Sequence, residues 1–233
     1  DIAILKQLNV TTIRTYYPIL SVQFLNELNK AGIKAIVNIP NFDDRAVPAK
    51  DKVDIVSGSY VDYVKNFGHH QAIKMVEFGN EYNYHAEWFD GDVSNWYAIL
   101  EKAAAVVKRE APGVVVATAH GDVPSADVLK RVPSVDVWGM NLYRWTTPSN
   151  AVRELLKTIE ETSGINKALK VYFSEVGVDV FNAKTGSVDE KSQGEWDVKI
   201  WKDILTIKDS RFMGATFMTF ADEWWKHGDG CVD

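Results

Sequence analysis

Two hydrophobic patterns alternate along the chain. Short runs rich in β-branched and other apolar residues are separated by longer segments in which apolar residues recur every three or four positions. The first pattern is typical of buried strands and the second of amphipathic helices, and their alternation indicates βα units around a parallel sheet. After a helix end over 1–9, strands are predicted at 11–16, 34–39, 73–79, 113–119, 135–142, 170–175 and 214–220, and helices at 20–31, 59–67, 93–109, 124–130, 148–163 and 190–206.

The predicted strands number seven, and the first predicted element is a helix. A (β/α)8 barrel needs about 250 residues, with ~200 as a lower limit, and it would place a strand before that helix. The chain has 233 residues and no linker-like segment. We therefore predict an α/β protein with one catalytic domain over 1–233, a TIM barrel that lacks its first strand at the N-terminus. The alternative is a true seven-stranded or open α/β sheet.

The composition and motifs argue against nucleic acid, a membrane span and a cofactor or metal. The formal net charge is −6 and no basic run is present, which argues against nucleic acid, because phosphate binding needs clustered Lys and Arg. No apolar run reaches the roughly 18 residues of a membrane span. Neither a Gly-rich phosphate loop nor zinc-ligand spacing occurs, so no cofactor or metal is expected.

The chain starts at Asp1 with no visible signal peptide, and we interpret its N-terminus as processed or trimmed. We expect an extracellular or periplasmic monomer.

Two glutamates follow predicted strands in similar contexts. Glu81 comes after the strand 73–79 in the segment Gly-Asn-Glu, and Glu175 closes the strand 170–175 in the segment Phe-Ser-Glu. Catalytic groups of a parallel barrel lie at the carboxyl ends of its strands. A single glutamate there is more often a salt-bridge partner or a helix cap, but a pair at two strand ends is the arrangement that glycoside cleavage requires. One carboxyl group must protonate the departing oxygen, and the other must attack the anomeric carbon or activate a water.

Other polar and aromatic residues at the strand ends are candidates for substrate binding. Asn80 could bond a sugar 2-hydroxyl, and Tyr143 could hold the nucleophile through its phenol. Tyr and Trp suit sugars, because pyranose rings present apolar C–H faces and polar edges. His120 could contact substrate, although a hydrogen-bonded rim histidine is the alternative. The aromatic candidates are Tyr84, Trp145 and Trp224, and the alternative for each is packing between loops and helices.

These motifs resemble a known clan. Asn80-Glu81 and Ser174-Glu175 are similar to the strand-four and strand-seven motifs of the retaining (β/α)8 glycoside hydrolases. The resemblance implies that Glu81 is the acid/base and that Glu175 is the nucleophile.

Within that clan, the segments 1–18, 28–40, 138–145 and 173–177 resemble the β-1,3-glucanosyltransferases of fungal cell walls and their bacterial relatives. The resemblance matches Arg14, Tyr16 and Tyr143 to residues of that family. Arg14 would then lie under Glu175 and keep it ionised, because an opposite charge nearby lowers a carboxylate pKa. The chain departs from the fungal pattern in lacking its cysteines and in having Ser-Glu-Val-Gly where that family has Ser-Glu-Tyr-Gly.

The resemblance implies a retaining hydrolase or transglycosylase acting on an oligo- or polysaccharide, a β-glucan that is β-1,3-linked. The alternatives are a β-1,4-glucanase or mannanase of the same clan, or a carbohydrate-binding barrel without catalysis. An aldolase or metal hydrolase would need a Schiff-base lysine or histidine-rich strand ends, and neither is present.

Overall fold

The structure, a computed structural model, describes residues 1–40, 52–144 and 146–221. The strands in these ranges are β1 (Thr12–Thr15), β2 (Lys34–Ile39), β3 (Ile73–Asn80), β4 (Val116–Gly121), β5 (Val137–Asn141), β6 (Lys170–Val176), β7 (Phe181–Asn182), β8 (Ser187–Val188) and β9 (Phe212–Phe217). The helices are α1 (Ile2–Gln7), α2 (Val22–Lys30), α3 (Tyr60–Phe67), α4 (Val93–Glu110), α5 (Ala126–Arg131), α6 (Pro148–Glu161) and α7 (Glu190–Ile204), with short 3-10 turns at Tyr82–Tyr84 and Ala86–Phe89.

Seven of these strands form one parallel sheet in the order β1-β2-β3-β4-β5-β6-β9. Each neighbouring pair is parallel, and the connections between them carry the helices. The two edge strands, β1 and β9, approach one another. Within the described ranges the sheet is therefore a nearly closed barrel of seven parallel strands, one fewer than in a (β/α)8 barrel, and the predicted fold class is confirmed.

The period-two alternation of the strands separates two buried clusters. One cluster lies inside the barrel and takes a residue from each of five strands: Ile36, Met75, Ala117, Val137 and Tyr172. The larger cluster lies between the sheet and the helices, and it includes the alternate positions Val37, Val76 and Phe78. Strands buried on both faces read as continuous apolar runs, which is why these segments were recognisable in the sequence.

Side-chain caps define where several helices begin. Ser21, Asp92, Ser125 and Asp189 precede α2, α4, α5 and α7, and each side chain accepts a hydrogen bond from a backbone N–H of the first turn. Such caps satisfy N–H groups that have no partner within the helix. None of the described helices is long and apolar enough to cross a bilayer.

The structure differs from the predicted strands in three ways. The short antiparallel hairpin of β7 and β8 was not predicted, because strands of two residues carry no measurable period. The strand predicted at 113–119 begins later, at Val116, since the segment after Pro112 first makes a turn in which Val114 N–H bonds to Ala111. The last strand lies two to three residues earlier than predicted.

Candidate active site

The end of β3 makes a sharp turn that presents Glu81. Gly79 has a φ of +72°, and a Cβ there would lie 2.6 Å from the ring of Trp96, so only glycine fits this position. Glu81 itself is left-handed, with a φ of 57°. A non-glycine residue in this region costs on the order of 1–3 kcal/mol and is a feature typical of functional sites. The Glu81 N–H bonds to the carbonyl of Ala119 on β4 and thereby anchors the turn.

Glu175 on β6 is held by donors on both carboxylate oxygens. Its Oε1 accepts from Arg14 Nη1 at 2.9 Å and from the Tyr16 hydroxyl at 2.7 Å. Its Oε2 accepts from the Tyr143 hydroxyl at 2.8 Å. Burial and then the charge of Glu175 raise the pKa of Tyr143, which keeps the phenol protonated as a donor. These three donors therefore hold the Glu175 side chain in one orientation.

Arg14 joins Glu175 to a second, fully buried carboxylate. Its guanidinium donates to Glu77 Oε1 at 2.8 Å, and Glu77 is 0% exposed. Asn38 Nδ2 donates to the same oxygen at 2.9 Å, while the Tyr172 hydroxyl donates to Glu77 Oε2. Burial opposes the charge of Arg14, but Glu77, Tyr172 and Glu175 outweigh it, so the pKa of Arg14 lies above its usual value.

A chain of amides connects the two strand ends. Asn80 Oδ1 accepts from Arg14 Nη2 at 2.8 Å and from Asn141 Nδ2 at 3.1 Å. Asn141 Oδ1 in turn accepts from the Ser174 hydroxyl at 2.6 Å. Two donors on one atom identify that atom of Asn80 as the oxygen, and they fix the side chain between Glu81 and the Glu175 cluster.

Glu81 is less buried than Glu175 and has a different electrostatic environment. Burial is the largest influence and raises the pKa of the Glu81 carboxyl. A hydrogen bond from Asn141 lowers it, the negative charge of Glu175 raises it, and Arg14 and His85 lower it. The net shift is upward, as a proton donor at neutral pH requires.

We expect the Glu175→Gln variant to lower the pKa of Glu81, because removing a like charge makes the ionised form less unfavourable. The pKa is measured by 13C NMR titration of labelled glutamate side chains. Glu190→Gln, which changes an exposed glutamate at the start of α7, serves as the control and leaves the Glu81 titration in place. A Glu81 pKa that is equal in the parent and in Glu175→Gln would contradict the coupling between the two carboxyl groups.

The other residues predicted to bind substrate differ in their exposure and in whether the structure describes them. Tyr84 lies on the rim and is 58% exposed. His120 is 9% exposed, and its Nε2 and Nδ1 lie 3.1 Å from the Tyr97 hydroxyl and 3.1 Å from the Asp122 carbonyl. Both ring nitrogens of His120 thus bond within the protein, and burial lowers its pKa. This arrangement favours a rim histidine that supports the loop after β4. Trp145 and Trp224 lie outside the described residues.

Glu77, Tyr172 and Met218 contribute to the site although they lie inside predicted strands and carry no predicted role. The Met218 sulfur lies 3.4 Å from the Tyr16 hydroxyl and 3.1 Å from the Tyr143 hydroxyl. A signal for Glu77 does exist, because it stands two positions after Met75 on the inward-facing side of a strand whose inward positions are otherwise apolar.

Within the described ranges, no group of three or more His, Cys, Asp or Glu side chains is placed to hold a metal ion.

No protein-family model matches the sequence, and no curated protein matches it significantly. Solved structures do resemble the fold. A β-D-glucuronidase from Dictyoglomus thermophilum is 17% identical with a TM-score of 0.60, over 95% of this chain and 40% of that chain. A β-glucuronidase from Bacteroides uniformis is 16% identical with a TM-score of 0.63, over 94% of this chain and 27% of that chain. A glucosidase from Croceicoccus marinus is 14% identical with a TM-score of 0.64, over 93% of this chain and 55% of that chain.

The chain therefore spans between about a quarter and just over half of these longer proteins. Identities this low establish the architecture alone. These structures are β-glucuronidases and a glucosidase rather than β-1,3-glucanosyltransferases, so the finer resemblance stays a prediction. The fold of this chain is similar to the barrel of these solved structures.

Proposed function

We propose that this chain is the catalytic barrel of a retaining glycoside hydrolase or transglycosylase that acts on β-linked sugars. The observation that carries the proposal is the contrast between the two carboxyl groups at the barrel mouth. Glu175 is held in one orientation by hydrogen bonds from Arg14, Tyr16 and Tyr143. Partial burial and the charge of Glu175 raise the pKa of Glu81, the direction that favours a proton donor. A carboxyl group with a raised pKa beside a second one held by hydrogen-bond donors is the arrangement of acid and nucleophile in glycosidases.

In the first step, a Glu175 oxygen attacks the anomeric carbon while the glycosidic C–O bond breaks. Glu81 donates its proton to the departing oxygen, which leaves as a neutral hydroxyl. The product is a glycosyl ester on Glu175. Asn80 contributes by donating from its Nδ2 to the sugar 2-hydroxyl, since its Oδ1 accepts from Arg14 and Asn141.

In the second step, Glu81 is ionised and accepts a proton from an incoming hydroxyl. The oxygen of that hydroxyl attacks the anomeric carbon, and the ester bond to Glu175 breaks. Water as the acceptor gives hydrolysis, and a sugar hydroxyl gives transfer. Arg14 and Tyr143 restabilise the released Glu175 carboxylate as its charge returns.

The substrate that we propose is a β-glucan with β-1,3 linkages, from the resemblance of the segments around Arg14 and Tyr143. A β-glucoside or β-glucuronide is the second candidate, because the similar solved structures include a glucosidase and β-glucuronidases.

The test incubates the full 233-residue chain with laminari-, cello-, manno- and xylo-oligosaccharides and with 4-nitrophenyl β-glucoside and β-glucuronide. We expect turnover of β-glucose-containing substrates, and 1H NMR should show the β-anomer as the first product of hydrolysis. Glu175→Gln is the inactive control. A folded parent that cleaves none of these substrates, or a first product of inverted configuration, would refute the proposal.

A further inference from the structure

At the barrel rim, a clamp formed by Asn83 and Gly121 joins the turn after β3 to the end of β4. Asn83 Nδ2 donates to the Gly121 carbonyl at 3.0 Å, and Gly121 N–H donates to Asn83 Oδ1 at 2.8 Å. The reciprocal pair fastens the turn that carries Glu81 to the end of β4. The residues on either side of the clamp are thereby held in place relative to Glu81.

Tyr84 is the aromatic residue positioned by this clamp. Its ring lies directly on Gly121, where a Cβ would come within 2.1 Å of the ring carbon Cε2. The absence of a side chain at position 121 is what gives the ring its place. Although it packs on backbone, Tyr84 remains 58% exposed. The ring therefore has one side supported by the backbone of Gly121 and an exposed side at the barrel mouth.

An exposed ion pair lies beside this ring. Arg144 Nη2 donates to Asp122 Oδ1 at 2.5 Å, with side chains 45% and 47% exposed. Asp122 is left-handed, with a φ of 61°, and its Oδ1 also accepts from Val123 N–H. Exposed ion pairs contribute little to stability. Both side chains are therefore available to contact a ligand at the barrel mouth.

Tyr84 and Asp122 lie on the Glu81 side of the mouth, because Tyr84 follows Glu81 in the turn after β3 and Asp122 follows the neighbouring strand β4. Arg144 follows β5, and its guanidinium is paired with Asp122. Partial burial, and then the charges of Asp122 and Glu81, raise the pKa of Tyr84, so its hydroxyl end lies within electrostatic range of both carboxylates. Glu175 is instead held by Arg14 and Tyr16, which come from β1 and the residue that follows it.

We propose that Tyr84, Asp122 and Arg144 form the subsite for the sugar unit on the leaving-group side of the scissile bond. The inference rests on the proposed function, in which Glu81 protonates the leaving oxygen and must therefore adjoin that sugar. The Tyr84 ring covers the apolar C–H face of the sugar. Asp122 accepts from one hydroxyl of a vicinal pair, and Arg144 donates to the other.

The charges at the subsite favour a neutral hexopyranose. Asp122 and Arg144 cancel one another, while Glu81 and Glu175 lie nearby. A uronate in this position would gain one contact with Arg144 but would meet the negative charge of Asp122. Vicinal hydroxyls satisfy the donor and the acceptor together, without adding charge.

Two glycosyl donors that carry the same laminaribiosyl group distinguish binding at this subsite from the bond-breaking step. Laminaritriose places a glucose unit on the leaving-group side, whereas β-laminaribiosyl fluoride places only fluoride there. The informative quantity is the kcat/KM for laminaritriose divided by the kcat/KM for the fluoride. Contacts with the leaving sugar change this ratio, and so does acid catalysis by Glu81. The pH profile for laminaritriose separates the two effects, because a change in acid catalysis alters its shape and a loss of sugar contacts does not.

We expect Tyr84→Ala and Asp122→Asn each to lower the ratio by about tenfold. Tyr84→Phe keeps the ring and should retain most of the parental ratio. Phe24→Ala changes a 39% exposed aromatic residue on α2 and is the matched control. Melting temperatures of all variants verify that they are folded.

An active parent whose ratio is the same in Tyr84→Ala and Asp122→Asn would overturn the subsite and leave the proposed function in place. A folded parent that turns over neither donor would refute the β-1,3-glucan substrate proposed above, and this subsite with it. A ratio that falls equally in Phe24→Ala would also overturn the assignment.

Discussion

The Glu175→Gln variant is expected to lose on the order of 10⁵-fold in kcat, comparable to the loss of a nucleophile in other covalent mechanisms. Glutamine cannot form the glycosyl ester, yet it fills the same volume. The amide oxygen can still accept from Arg14 and Tyr16, and the amide NH2 in the place of Oε2 would donate to the Tyr143 hydroxyl, so the surrounding geometry is largely retained. The rate is measured with 4-nitrophenyl β-glucoside or with whichever oligosaccharide the parent cleaves.

Glu81→Gln is expected to give a different pattern of loss. With oligosaccharides, kcat falls about 10²- to 10⁴-fold, because the leaving alkoxide needs a proton. With 4-nitrophenyl glycosides, whose leaving group departs without one, the first step is largely retained and the ester accumulates. Added azide then speeds turnover and yields a β-glycosyl azide, since azide needs no general base.

The roles of the two glutamates are distinguished by comparing these variants. Azide rescue of Glu81→Gln with β-product, and no such rescue in Glu175→Gln, agrees with the proposed assignment. The reverse pattern would exchange the two roles. Glu190→Gln removes an exposed glutamate at the start of α7 and should keep parental activity with both kinds of substrate.

The second large effect is on stability. Arg14→Met is expected to lower the free energy of unfolding by about 3–5 kcal/mol, because it leaves the buried carboxylate of Glu77 without its counter-charge. Glu77 is 0% exposed, and the guanidinium lies 2.7 Å from it. The free energy is measured by urea unfolding at neutral pH, and activity falls together with the orientation of Glu175.

A double variant separates the ion pair from general packing. Arg14→Met/Glu77→Gln removes both charges while keeping hydrogen-bond partners for Asn38 and Tyr172, and it should recover part of the lost stability, since a neutral amide needs no counter-charge. The matched surface change is Lys30→Met, which breaks the Lys30–Glu27 pair with side chains 71% and 49% exposed. That change should cost no more than about 1 kcal/mol. A double variant as unstable as Arg14→Met would contradict the pairing energetics.

Much of the fold was predictable from local patterns. The seven parallel strands were recognisable because strands covered on both faces read as apolar runs, as in the segment from Lys34 to Ile39. The β7–β8 hairpin was missed because its strands are too short to show a period. The start of β4 was misplaced because the turn after Pro112 contains valines, which favour strands whatever their backbone conformation.

The candidate site was predictable where it obeys a positional rule. Glu81 and Glu175 were identifiable because polar residues directly after apolar strands lie at the carboxyl rim of a barrel. Glu77 did not follow that rule. From the local sequence, a glutamate within a strand is expected to form an ordinary salt bridge. Only the closed sheet brings Arg14, Asn38 and Tyr172 around Glu77.

The sequence by itself determined the order of βα units, the strand ends that carry the two glutamates, and the residues available to assist them. These properties depend on neighbours in the chain, and hydrophobic periodicity reports them directly. Only the tertiary structure decided that Arg14 bridges two carboxylates, that Glu81 is left-handed, and that Tyr84 lies on Gly121 beside Asp122 and Arg144. Those contacts join residues from different strands, and their geometry exists only once the sheet has curved into a barrel.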